Sequence, residues 1–151
     1  MQAIGRMYGD FVGGRGAIGL LLVRLVFGLG LVLHALGTGK AQHPWSWMDK
    51  PGAPSPVPGF LQALAALSEF GGGLALIVGL LTPLAALGIF FTMLYAIVMV
   101  HMKAGHPFIS VEGKTYESAA SYLVVALLML FTGPGTLSLD HQLFGRKQRA
   151  R

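Results

Sequence analysis

The chain has no cysteine. That absence excludes disulfides, thiolate metal sites and CxxC redox chemistry within this polypeptide, so any redox role requires a bound cofactor, a quinone or a partner protein. Charge is scarce as well: 11% of the 151 residues are Asp, Glu, Lys or Arg, against 54% hydrophobic, and the mean hydropathy is +0.65. A soluble domain carries about 25% charged residues. A water-facing surface cannot be built from so few, and the class is integral membrane protein. Nucleotide chemistry has no support either. Gly14-Arg-Gly16-Ala-Ile-Gly19 matches G-x-G-x-x-G, but no strand precedes it and an apolar helix follows, so the βαβ context that gives the motif meaning is missing. There is no Walker A sequence, HExxH, nucleophile elbow, haem motif or iron–sulfur ligation pattern. The 22 glycines follow no three-residue period; they fit transmembrane helices, where glycine is commoner than in soluble ones.

Four apolar stretches approach the roughly 20 residues needed to cross a 30 Å hydrocarbon core. They run over about Ala17–Leu36, Gly59–Leu81, Leu84–Met102 and Tyr116–Thr132, the last being the shortest. The fold expected is all-α, an integral membrane four-helix bundle. Residues 1–16 form an N-terminal cytoplasmic segment, 17–133 the transmembrane domain, and 134–151 a basic tail in which Asp140 caps a short amphipathic helix. The first span starts too late and is too long for a cleavable signal peptide, so it is expected to stay as an anchor. Gly28, Gly30, Ala66, Gly72, Gly73 and Gly79 allow close helix approach. Only Thr82 and Pro83 separate the second and third spans, which requires a tight antiparallel hairpin. The loop Gly37–Pro58 carries Pro44, Pro51, Pro54, Pro56 and Pro58 and is expected to be extended. Trp45 and Trp47 suit the headgroup layer, with the loop either lying on the membrane or acting as a lid over a site. Arg6, Arg15, Arg146, Lys147, Arg149 and Arg151 fall on one side, Lys40, Lys50, Lys103 and Lys114 on the other, which puts both termini in the cytoplasm. The net charge of +5 comes mainly from the C-terminal cluster, a topology and lipid-surface signal and not a nucleic-acid site.

Ionisable residues inside such spans are expensive, about 2.5–3.5 kcal/mol each on insertion scales, and they face a bundle interior or a wet cavity. Glu69 sits near the middle of the second span and Arg24 inside the first. Counted at 1.5 Å per residue, Arg24 lies about 10 Å and Glu69 about 18 Å above the cytoplasmic end. Snorkelling of the arginine stem brings them within reach of each other as a structural ion pair. In a second reading Glu69 is a proton or quinone-headgroup partner; in a third Arg24 pairs with Asp140. Nearer the outer face, His34, His101 and Glu117 come out at about 24–25 Å, a layer suited to a metal, a proton relay or a hydrogen bond to a quinone carbonyl. Ordinary hydrated interfacial residues are the alternative there. Lys40 and Lys103 lie just beyond, placed to attract an anion. His101 and His106 are not an i, i+4 helical pair, because Gly105 and Pro107 interrupt the helix, and His43 and His141 read as loop residues.

The chain resembles the DoxX family of small bacterial membrane proteins. The resemblance rests on Arg24-Leu-Val-Phe-Gly28 leading into His34-Ala-Leu-Gly-Thr-Gly-Lys40, and on Glu69-Phe-Gly-Gly-Gly-Leu-Ala-Leu-Ile-Val-Gly-Leu-Leu-Thr-Pro83. His101-Met-Lys103 and Thr132-Gly-Pro-Gly-Thr-Leu-Ser-Leu-Asp140 complete it, over about residues 17–144. It implies a multi-pass protein of the bacterial inner membrane tied to respiratory or thiol redox chemistry. One branch resembles the quinone-reducing part of a thiosulfate oxidoreductase, and others act as membrane partners of redox enzymes. Without cysteine, direct thiol exchange would need another subunit. The function expected is a quinone-associated or redox-linked membrane subunit, with Glu69, Arg24, His34, His101 and Glu117 as ligand or proton-relay candidates. The alternative is an assembly subunit of a larger membrane complex with no catalysis of its own. A transporter is the weakest class, since no inverted repeat is evident.

Overall fold

The computed structural model describes residues 10–53, 55–111 and 113–145; Arg6 and the C-terminal basic cluster Arg146, Lys147, Arg149 and Arg151 lie outside them. Four helices carry the fold: α1 (Gly14–Gly37), α2 (Gly59–Val78), α3 (Thr82–Met102) and α4 (Glu117–Thr132), and no strand is formed among the described residues. The first three are long and apolar enough to cross a bilayer. Helix α4, with 16 residues, spans about 24 Å.

Helix α1 shows why the composition gives spans. Its buried residues are Ala17, Leu20, Arg24, Gly28, Leu31 and Ala35, one stripe at helical spacing of three and four. The remaining faces are equally apolar yet exposed, with Val26 67% and Leu33 57% accessible. A helix apolar all round, with only one face against protein, has lipid on the others. Pro58, which lacks an N–H to satisfy, precedes α2. Gly79 in the left-handed region (φ 69°) ends it.

The α2–α3 hairpin is antiparallel, as expected, but its turn is Gly79–Leu81, and Thr82 and Pro83 form the first turn of α3. Helix α2 therefore stops three residues earlier than hydropathy alone suggests. Hydropathy has no means of seeing this, because Leu80 and Leu81 are as apolar as the helix before them. The glycine's positive φ sets the boundary.

Helix α1 lies against α2, α2 against α3, and α3 against α4, with Phe27 and Tyr122 in edge-to-face contact (5.4 Å between ring centroids) joining α1 to α4. The closest approach is Gly28 against Gly73. A Cβ built on Gly28 would stand 2.7 Å from the Gly73 carbonyl oxygen, and one on Gly73 would stand 2.8 Å from the Gly28 carbonyl oxygen. The two backbones touch, in the manner of small-residue helix contacts in membranes. Gly28→Ala is expected to destabilise the bundle by about 1–3 kcal/mol, the usual cost of overpacking. Sodium dodecyl sulfate titration of the protein in mixed micelles checks this; an unchanged midpoint would rule out the backbone contact.

Beyond α4 the chain turns at Gly133 (φ 65°) and packs back onto the hairpin. The Arg24 guanidinium, 1% exposed, donates to three carbonyls: Leu76 at 2.9 Å, Pro134 at 2.5 Å and Leu137 at 2.9 Å. Asp140 is fully buried and accepts from the N–H groups of Leu81 (2.7 Å) and Thr82 (2.8 Å). It caps α3, a distant helix; the short helical turn expected after it is present at His141–Gly145 but takes its cap from Ser138, whose Oγ accepts the His141 N–H at 3.1 Å. The Asp140 charge also suits the positive end of the α3 dipole and interacts electrostatically with Arg24. Thr136 N–H bonds the Val12 carbonyl at 2.9 Å, so both described ends of the chain meet on one face of the bundle.

Candidate functional site

The expected Arg24–Glu69 pair does not form. Arg24 binds Leu76, and Glu69 stands seven residues earlier in α2, about 10 Å away along the axis. Arg24 is drawn the other way, to carbonyls at the end of α2 and in the turn after α4. A guanidinium with five fixed donors is better satisfied by those carbonyls than by a single carboxylate above it.

Glu69, 2% exposed, has another partner. Lys40 Nζ donates to both carboxylate oxygens, at 2.6 Å to Oε1 and 2.7 Å to Oε2. Lys40 is itself only 6% exposed, so the two form a buried, neutral ion pair. Local backbone geometry brings them together from both sides. Gly39 adopts φ 77° just after α1, which turns the chain so that Lys40 re-enters the bundle. Glu69 lies in a π-helical turn, Leu67–Gly71, inserted into α2. A π turn widens the helix locally, and such turns are frequent at functional sites.

The Gly37–Pro58 loop is not extended as its prolines suggest: residues 38–48 form successive turns, tied by His43 N–H to the Gly39 carbonyl at 2.9 Å and Ser46 N–H to the His43 carbonyl at 3.1 Å, and fold over this pair. Gln62 of α2, 2% exposed, holds it down. Its side-chain oxygen accepts from Met48 N–H at 2.9 Å, its amide donates to the Val57 carbonyl at 3.0 Å, and its backbone carbonyl accepts from the Trp47 indole at 3.1 Å. Trp47 thereby places its ring 4.5 Å from Lys40 Nζ, a cation–π contact. The two tryptophans divide: Trp45 is 65% exposed, as an interfacial anchor would be, whereas Trp47 belongs to the lid.

Under the lid is a cavity of about 390 Å³ with Lys40, Glu69 and Ser68 among its lining groups. Leu64, Phe91, Tyr95 and Val100 also line it, and all four lie on outward faces of α2 and α3, Phe91 59% and Leu64 54% exposed. The cavity therefore opens sideways, between two helices, toward the lipid. A neutral pair at the polar end of an apolar slot can orient a ligand that has both a hydrogen-bonding headgroup and an apolar tail. Lysine carries three donors; two go to Glu69, and one is left for a ligand acceptor.

The outer layer expected from His34, His101 and Glu117 divides among separate neighbours. His34 Nε2 is 3.8 Å from Glu69 Oε2 with its side chain 53% exposed, so it links the buried carboxylate to the interface. His101 faces His106, Nδ1 to Nδ1 at 3.1 Å, although Gly105 and Pro107 do interrupt the α-helix between them. A π-helical end to α3, Ala96–Met102, brings i and i+5 together, a spacing that α-helical counting does not consider. Glu117 is exposed in the first turn of α4, where its charge suits the helix dipole. Among the described residues no three His, Cys, Asp or Glu side chains are grouped to hold a metal.

Sequence reasoning missed Lys40 as the counter-ion of Glu69, and missed Gln62 and Trp47 as the lid's fastenings. The available signal was Thr38-Gly39-Lys40, a glycine turn placing a lysine within reach of the only acid in the neighbouring span.

The DoxX family model matches residues 19–102. The inner membrane protein YqjF of Escherichia coli is 30% identical over 128 residues, covering 83% of this chain and 92% of that protein. The membrane protein Rv3486 of Mycobacterium tuberculosis is 30% identical over 138 residues, covering 84% of this chain and 82% of its own. No solved structure matches.

Proposed function

The chain belongs to the DoxX family and is a multi-pass protein of the inner membrane; from that premise we propose that it is a quinone-associated membrane subunit that works with a redox partner. The observation that carries this reading is the buried Lys40–Glu69 pair lining a lipid-open cavity of about 390 Å³. A quinone is a flat headgroup with two carbonyl acceptors on an apolar tail. The tail reaches the slot from the bilayer, between Leu64 and Phe91. The free Lys40 donor meets a carbonyl, and Glu69 accepts from the hydroxyl of the reduced form. Reduction to quinol takes two electrons and two protons. A chain with no cysteine and no ligation motif for haem or iron–sulfur clusters takes those electrons from a partner. His34, beside Glu69 and half exposed, is placed to pass protons from the interface.

The rival reading, an assembly subunit with no ligand, draws on glycine-rich faces and interfacial tryptophans available to other proteins. Gly28 and Gly73 meet each other inside this chain, whereas Trp45 stays exposed. The test is gentle purification from native membrane followed by mass spectrometry of the lipid extract. Retained quinone in the wild type, reduced about tenfold or more in Glu69→Gln, is the expected result; a lost charge-assisted hydrogen bond of about 1.5–3 kcal/mol corresponds to that range. A wild-type protein that neither retains quinone nor takes up added ubiquinone in nanodiscs would refute the proposal.

A further inference from the structure

We propose that His101 and His106 form a two-histidine site for a late divalent transition metal, Cu2+ in preference to Zn2+. The site stands apart from the Lys40–Glu69 cavity and does not depend on the quinone reading. Three features of the structure carry it. The two Nδ1 atoms face each other at 3.1 Å, with the ring planes inclined at 64°. Two nitrogens bound at about 2.05 Å to one ion and 3.1 Å apart subtend an angle of about 98°. That lies between the square-planar and tetrahedral values, so both imidazoles can ligate one ion once each ring turns its Nδ1 lone pair off the N–N line toward it. The backbone holds the rings there: the His106 N–H bonds the His101 carbonyl at 3.0 Å, closing the π-helical end of α3 into a rigid turn, and Gly105 supplies its φ of 69°. Both residues are partly accessible, so an ion can reach them and complete its shell with water.

As neutral imidazoles these two nitrogens must share one proton, one donating and the other accepting. A metal ion takes that proton's place between them, the donating ring carrying its proton on Nε2 instead, and satisfies both. The electrostatic surroundings select the kind of ion. Lys114 acts on His101 and Lys103 adjoins the turn, so a cation held chiefly by charge, such as Mg2+ or Ca2+, is disfavoured. Ions that gain most from nitrogen donors are favoured, and imidazole sites bind Cu2+ more tightly than Zn2+. With only two protein ligands the site is exchangeable, and its occupant ties the α3–α4 loop to the end of α3.

The experiment uses full-length protein purified without a histidine tag and titrated calorimetrically in detergent with CuCl2, ZnCl2 and MgCl2. One Cu2+ per chain is expected, Zn2+ weaker, Mg2+ undetected. Mutating even an outer-shell partner of a metal ligand costs about 10–100-fold in affinity, so His101→Ala and His106→Ala should each weaken Cu2+ by about tenfold or more. His43→Ala and His141→Ala should leave the affinity unchanged, and Lys114→Gln should tighten it. Electron paramagnetic resonance of the copper-loaded wild type should show superhyperfine coupling from two imidazole nitrogens. That readout keeps the test decisive if an alanine variant fails to fold. Copper coupling to fewer than two imidazoles, or binding that survives both substitutions in folded protein, would overturn the assignment.

Discussion

Arg24→Met is expected to destabilise the bundle by about 3–5 kcal/mol, the range for removing one member of a buried charge pair. Two losses combine. The carbonyls of Pro134 and Leu137 lose their side-chain donor in a region with little access to water, and each unsatisfied buried group costs about 1–3 kcal/mol; the Leu76 carbonyl keeps the Gly79 N–H at 3.1 Å. The Asp140 carboxylate also loses its electrostatic interaction with Arg24, keeping the Leu81 and Thr82 N–H groups. Because Arg24 binds two carbonyls of the segment after α4, Pro134 and Leu137, the first region to loosen should be residues 133–140. Hydrogen exchange at Asp140 and Thr136 should rise before the helices protect less. Arg24→Lys should recover only part of the loss, since an ammonium lacks the fork that spans three separate carbonyls. Surfactant titration with exchange mass spectrometry gives both readouts. A midpoint unchanged in Arg24→Met, or exchange rising first in α2 instead, would show that the guanidinium is not the clasp described.

The second large effect concerns Lys40 and Glu69 and separates pairing from packing. Lys40→Met leaves a buried carboxylate alone, and Glu69→Leu leaves a buried ammonium alone. Each single change is expected to cost about 3–5 kcal/mol. The double variant Lys40→Met/Glu69→Leu removes both charges together and should recover most of the loss, since hydrophobic replacement of a whole buried pair is often neutral or stabilising. It should nevertheless lose quinone retention. That combination, a stable fold with an empty slot, is the outcome that distinguishes a functional pair from a structural one. A double variant as unstable as either single variant would mean that the bundle requires the ion pair for its own stability. The same double variant with undiminished quinone would remove Lys40 and Glu69 from the binding site.

Particular residues show how far the sequence could be read. Ile18, Leu22, Val26 and Leu33 are apolar and exposed; nothing but lipid accommodates such a surface, and composition alone was enough to say so. Glu69 was legible as an interior residue for the same reason, because an acid amid some 20 apolar neighbours has no comfortable place against hydrocarbon. Its partner was not. Axial counting from regular α-helices assumes that spans end where hydropathy ends, but α2 stops at Gly79 and contains a π turn at Glu69. Lys40, assigned to a loop outside, enters the bundle because of a left-handed glycine. Asp140 and His101 fail in the same way: each meets a partner set by a turn, the one across the fold and the other across an irregular helix end.

The amino-acid sequence by itself determined the solvent: too few charges for water, spans long enough for lipid, and two ionisable side chains that had to be hidden among helices. Those are one-dimensional properties, since transfer free energies add residue by residue along the chain. Which charge met which was decided only in three dimensions, by two glycine turns and a π-helical insertion. Ion-pair choice depends on distances of a few ångströms, and a single irregular turn changes those distances by more than the sequence pattern can register.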